Sequence, residues 1–123
     1  MTDEERKSIA AEYLKSLDYG RDFYHLIAED AEVYFPNWGV ARGAEEYKKL
    51  FSHLGTLVED FTHFHAYINW IIQGDMVVAE GSSKGKLKTG VTWSDSKWCD
   101  VFEIGDGKIQ RLYIYLDPEY SRY

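Results

Sequence analysis

A chain of 123 residues, 45% hydrophobic and 16% aromatic, suits one domain built on one core. Its net charge of −7, from 21 acidic and 14 basic residues, argues against nucleic acid or an anionic membrane as the main partner, because both demand concentrated Lys and Arg. A single cysteine, Cys99, excludes an intrachain disulfide.

The charged N-terminus carries no signal-peptide pattern, and no apolar run approaches the ~18 residues of a membrane span. A soluble, cytoplasmic protein is expected. Asp3 to Leu17 is predicted to be a helix: Thr2 suits the N-cap, acidic residues fill the first turn, and Ile9, Ala10, Tyr13, Leu14 and Leu17 form one apolar stripe. Asp18, Tyr19 and Gly20 stop it. A short second helix follows, with Phe23, Leu26 and Ile27 on one face. Ala31 to Phe35 reads as a brief strand ended by Pro36, and 37–43 as a loop with two glycines. Ala44 to Leu54 is predicted to be a third helix, buried along Ala44, Tyr47, Leu50, Phe51 and Leu54.

Four strands come next. Phe61 to Ile72 is read as one long, bent strand. Its Phe61, His63, His65, Tyr67, Asn69 face is polar and the opposite face apolar, so either could be concave. Met76 to Lys88 pairs with it through Gln73, Gly74 and Asp75, with Lys84, Lys86 and Lys88 on one solvated face. The last two strands form a hairpin from Lys97 to Asp117 around Gly105, Asp106 and Gly107, a strong turn signal. Helices followed by a run of antiparallel strands give an α+β class.

The hairpin contains the most informative residue. Asp100 alternates with Trp98, Phe102 and Ile104, and a carboxyl among large hydrophobes is costly unless it is hydrogen-bonded or protonated. The bland alternative is an outward or strand-edge carboxylate. Cys99, on the opposite parity, reads as a structural thiol.

This order of elements resembles the nuclear transport factor 2-like superfamily, which includes the SnoaL-like and ketosteroid-isomerase-like proteins. The resemblance covers essentially the whole chain, 1–123, as a single domain. It is carried by Ala31 to Pro36 (AEVYFP), by Arg42 and Gly43 opening the third helix, and by Asp106 to Ile109 (DGKI). It implies three N-terminal helices packed on a strongly curved, mostly antiparallel sheet, a cone-shaped, cystatin-like α+β barrel with a pocket inside.

Against the steroid isomerases, Tyr13 occupies the position of the oxyanion-binding tyrosine and Asp100 that of the protonated aspartate. A core tyrosine on an amphipathic stripe is the alternative for Tyr13. The family's general-base aspartate before the proline is here Phe35, which cannot take a proton. Against the limonene epoxide hydrolases, the catalytic aspartate position on the last strand holds Ile114, and Asp117 reads as a strand-end or rim group. Scytalone dehydratase uses two histidines; His65 or His63 could match one of them.

Candidates for a replacement base are His65, His63, His25 and Glu80, since a histidine near neutrality suits proton shuttling. The candidate catalytic residues are therefore Tyr13 and Asp100, which the resemblance implies hold the oxyanion, with His65 or Glu80 to move the proton. Phe35, Trp38, Trp98, Leu112, Ile114 and Leu116 become the candidate substrate-binding residues. Trp38 could close the pocket mouth or plug the third helix. Arg111, Tyr113 and Tyr115 fall on the opposite sheet face, which in this superfamily commonly forms a homodimer contact. No motif for nucleotide phosphates, structural zinc or nucleophilic catalysis is present, so no cofactor is expected. Two functions remain open: a cofactor-free acid–base isomerase, cyclase or dehydratase on a small apolar carbonyl compound, and a non-catalytic dimeric module that binds an apolar ligand or a partner protein.

Overall fold

The structure, a computed structural model, describes residues 1–117. Helix α1 runs Asp3–Tyr19. Thr2 Oγ1 accepts from the Glu5 N–H at 3.1 Å and Glu5 Oε1 accepts from the Thr2 N–H at 2.9 Å, satisfying two N–H groups that a helix start leaves over. Gly20 ends it in the left-handed region, φ 67°, where a side chain would be strained. The predicted stripe is the buried one: Ala10, Tyr13 and Leu14 are fully enclosed.

The predicted second helix is instead a single 3₁₀ turn, Tyr24–Leu26. Strand β1 (Ile27–Phe35) begins immediately after it, so three expected helices become two α-helices and a turn. Phe23, Leu26 and Ile27 have helical spacing, but a run this short does not distinguish a turn entering a strand from a helix face. The predicted 37–43 loop contains β2 (Gly39–Arg42), which folds back antiparallel on β1. Helix α2 is Ala44–Leu57 and buries Tyr47, Leu50 and Phe51.

The predicted long strand is two strands, β3 (Val58–His63) and β4 (Asn69–Gln73), parted by a 3₁₀ turn at His65–Tyr67. Both pair with β5 (Met76–Leu87), which is long enough to carry them end to end. Strands β6 (Thr92–Gly105) and β7 (Lys108–Leu116) form the expected hairpin. The sheet order is β2-β1-β7-β6-β5-β3, with β4 beside β5. Strands β1 and β7 run parallel and every other pairing is antiparallel. Register irregularities, such as those between Ser83 and Gly85 and between Glu103 and Ile104, bend the strands, and the sheet curls around the two helices.

One close approach shapes the β3 edge. A Cβ on Gly85 would lie 2.4 Å from the Asp60 carbonyl oxygen and 2.5 Å from the Trp93 ring, so no larger residue fits without moving backbone. On the outer face, an apolar row crosses the sheet in register: Ile71, Val78, Val101, Tyr113, Tyr34 and Val40. No helix of the described residues is long and apolar enough to cross a membrane.

Candidate functional site

The concave side of the sheet and the two helices enclose a cavity of about 440 Å³. Its walls are largely aromatic, with Tyr13, Phe23, Tyr24, Phe35, Phe51 and Phe61 contributing rings. Ile114 and Leu116 of β7 close the sheet side. Asp18, His63, Tyr13 and Asp100 supply polar groups to the same space.

Alternation along β6 turns Trp98, Asp100, Phe102 and Ile104 inward. Asp100 is 3% exposed, and burial pushes its pKa up to about 8. A carboxyl with that pKa is mostly protonated at neutral pH and can donate a hydrogen bond. Tyr13 rises from α1 between the rings of Phe23 and Phe102, at 5.5 and 5.7 Å. Burial, then the charges of Asp100 and Asp18, raise its phenol well above the usual value, so it stays protonated. Among the described residues, the Tyr13 hydroxyl is the buried side-chain polar atom left without a hydrogen-bond partner. Such a group carries a desolvation cost that a ligand oxygen would relieve.

Asp18, which the sequence presents as a helix stop, is the centre of a second cluster. Its side chain is 4% exposed. Oδ1 lies 2.7 Å from Nδ1 of His63, and Oδ2 accepts from the His63 backbone N–H at 2.9 Å. Oδ2 also lies 2.6 Å from Nε2 of His65. A carboxylate can only accept, so the proton of His63 sits on Nδ1 and Nε2 carries the lone pair. Burial lowers the pKa of His63, opposed by the hydrogen bond and charge of Asp18 and reinforced by His65. The ring packs edge-on against Trp98 and tilts over Phe61, both at 4.6 Å.

Of the sequence candidates, Tyr13, Asp100, His63, Phe35, Ile114 and Leu116 line this cavity. Others sit elsewhere. His65 stands behind His63 on Asp18 and faces outward, 23% exposed. Glu80 is exposed on the outer face, accepting from the Asn69 amide at 3.0 Å, because its strand parity is opposite to that of buried Val77 and Ala79. Leu112 is in the closed core opposite Phe102, and Trp98 is a buried wall behind His63 whose Nε1–H donates to the Ser82 carbonyl. Trp38 is 44% exposed and lies against His53 of α2, 5.2 Å between rings, so it covers the helix rather than the mouth. His25 is exposed beside Asp22. Asp117 ties the hairpin end, accepting from Ser96 Oγ at 2.8 Å and the Lys97 N–H at 2.9 Å.

Asp18 is the cavity residue that sequence reasoning missed. A signal was present: it is an acid in the last turn of a helix with no basic residue there, against the macrodipole. Among the described residues, no group of three or more His, Cys, Asp or Glu side chains is arranged to hold a metal ion.

The SnoaL-like domain family matches residues 14–112, and the chain belongs to that family; its fold is that of nuclear transport factor 2-like structures. Solved structures share the fold. A candidate polyketide cyclase from Xanthomonas campestris pv. campestris superposes with a TM-score of 0.82 at 16% identity, over 93% of this chain and 91% of that one. A nuclear transport factor 2-like protein of unknown function from Burkholderia pseudomallei K96243 gives 0.80 at 16% identity, over 95% and 92%. TerC, co-crystallised with polyporic acid, gives 0.76 at 18% identity, over 92% of each chain. Among curated proteins, none matches the sequence.

Proposed function

We propose that this chain is a cofactor-free acid–base enzyme that enolises a small, neutral, largely aromatic carbonyl compound of the polyketide type. The observation that carries the reading is the pairing, on one cavity, of a carboxylate-oriented His63 with the unpartnered Tyr13 hydroxyl beside protonated Asp100. His63 Nε2 takes the proton from the carbon next to the carbonyl. The C–H electron pair becomes the enolate double bond, and the negative charge moves to oxygen. Tyr13 and Asp100 donate hydrogen bonds to that oxygen in surroundings where such bonds are strong. The enolate is then reprotonated at another carbon by His63, attacks a second carbonyl whose oxygen takes the His63 proton, or expels a β-hydroxyl that leaves as water with that proton. These outcomes are isomerisation, cyclisation and dehydration. Asp18 and His63 thereby fill the role that Phe35 cannot. The aromatic walls suit a flat substrate, and the fold shared with a candidate polyketide cyclase supports the class.

Deuterium exchange next to the carbonyl of simple aryl ketones, followed by NMR, tests this. The wild-type protein is expected to accelerate exchange, and His63→Ala or Asp18→Asn to slow it ~100-fold or more while the melting temperature shows the fold intact. Exchange that survives both substitutions sinks the reading. A ketone that raises the melting temperature without exchanging assigns a non-catalytic binding module instead.

The partner we propose is a second copy of the chain, docked through the outer sheet face. The apolar row from Ile71 to Val40 runs across six strands, and Tyr115, 45% exposed, extends it. Beside it, Arg42, Glu32, Arg111 and Glu103 alternate in sign across neighbouring strands. A two-fold axis lays such a face on itself with opposite charges meeting.

A further inference from the structure

We infer that His65 is a positioning residue for the base of the cavity: its Nε2–H, donated to Oδ2 of Asp18, locks that carboxylate so that Oδ1 holds His63 in one tautomer. This rests on the reading of His63 as the base and deepens it.

Asp18 is poorly served by its own element. It sits in the last turn of α1, where unpaired carbonyls make the helix end negative and no basic residue compensates. Its side chain is nevertheless enclosed, so its hydrogen bonds must come from other elements. All three come from two histidines. His63 gives its backbone N–H to Oδ2 at 2.9 Å and its Nδ1–H to Oδ1 at 2.7 Å, and His65 gives Nε2–H to Oδ2 at 2.6 Å.

The chain geometry makes this convergence possible. Strand β3 ends at His63, Phe64 turns the backbone at φ −80° and ψ 85°, and His65 opens a 3₁₀ turn. On an unbroken strand the two rings would stand side by side on one face. The break instead aims a nitrogen of each ring at one carboxylate, with the ring centres 6.1 Å apart. His63 faces the cavity and His65 faces outward, so His65 acts through Asp18 and not on a ligand.

Without His65, Oδ2 keeps a single donor, the His63 N–H. The carboxylate is then freer to rotate, and the imidazole is freer to move its proton to Nε2. That tautomer has no lone pair on the cavity side and is not a base. The titratable groups around His63 are Asp18 from α1 and His65 from the following turn. Tyr13, Glu59, Asp60 and Asp100 share its cavity.

Long-range proton–nitrogen NMR on the ¹⁵N-labelled protein reads the protonation of each ring nitrogen without any substrate. In the unmutated protein, His63 is expected to carry its proton on Nδ1 and His65 to carry one on Nε2. His65→Gln, which keeps an amide donor, preserves the His63 tautomer. His65→Leu gives a mixture of tautomers and raises the His63 titration midpoint, since a neighbour that lowers it is gone. A neutral His65 protonated on Nδ1 in the unmutated protein overturns the inference. A folded His65→Leu variant with unchanged His63 tautomer and midpoint does the same. Should that variant fail to fold, the unmutated spectrum and His65→Gln still decide. Because no ligand is used, this result is separate from the exchange test: an oriented His63 whose removal leaves exchange intact refutes the enzyme reading alone.

Discussion

A carboxyl group buried beside Trp98 and Phe102 has consequences that can be measured without knowing a substrate. Asp100 titrates near 8 in the fold, against 3.8 for an unperturbed group, and burial is the cause. Between those values the native state holds a proton that the unfolded chain has released, so this group's contribution to stability is greatest below about pH 4 and declines as pH rises to about 8. His63 works in the other direction. Its pKa lies below 6.5, so it weakens the fold as pH falls below that value. Asp100→Asn removes the alkaline decline. Its stability relative to wild type is expected to grow between pH 5 and 8, by at most about 1.4 kcal/mol per pH unit, in urea titrations at each pH. A difference that stays flat across that range overturns the protonated-donor assignment. Asp100 and Tyr13 were legible in the sequence because strand parity and a helical stripe each fix a direction. Asp18 was not, because a polar residue two positions before a glycine reads as punctuation until its partners, 45 and 47 residues away, are placed.

Each strand is set by what it can fit as much as by its pattern. The predicted 61–72 strand broke because β5 supplies two pairing edges in succession and the chain turns between them. That turn moved His65 off the cavity and left His63 on it. Gly85 fixes the far end of the same edge. Gly85→Ala is expected to cost about 1–3 kcal/mol, since the added methyl meets the Asp60 backbone at 2.4 Å. Gly81→Ala, whose nearest contact is the Trp98 ring at 3.4 Å, is the comparison and should cost clearly less. Denaturant unfolding of the two variants checks this; equal losses would mean that the β3 edge yields easily.

The whole molecule presents two faces of different chemistry. The concave face is filled or lined by aromatics and the outer face carries the transverse apolar row, including Tyr34 and Tyr113 with ring centres 5.6 Å apart. A charge in the middle of that row should separate the proposed pair. Val101→Glu is expected to shift sedimentation from dimer to monomer, raising the dissociation constant ~100-fold or more, while the cavity is untouched because Val101 points outward. A wild-type protein that sediments as a monomer at high micromolar concentration refutes the pairing.

Local chemistry determined much of this protein before any contact was known. The capped α1, the amphipathic α2, the Asp-Gly hairpin and the inward parity of Asp100 follow from side-chain periodicity and turn preferences over a few residues. Only the tertiary structure decided where β3 ends, that 39–42 is a strand, and that Phe23 to Ile27 enter a strand rather than a helix. It also decided which histidine lines the cavity. Two histidines of equal standing in the sequence were separated by one backbone turn and joined by a carboxylate from the last turn of α1. Periodicity specifies which way a residue points from its own backbone; which distant group lies there depends on how the sheet curls.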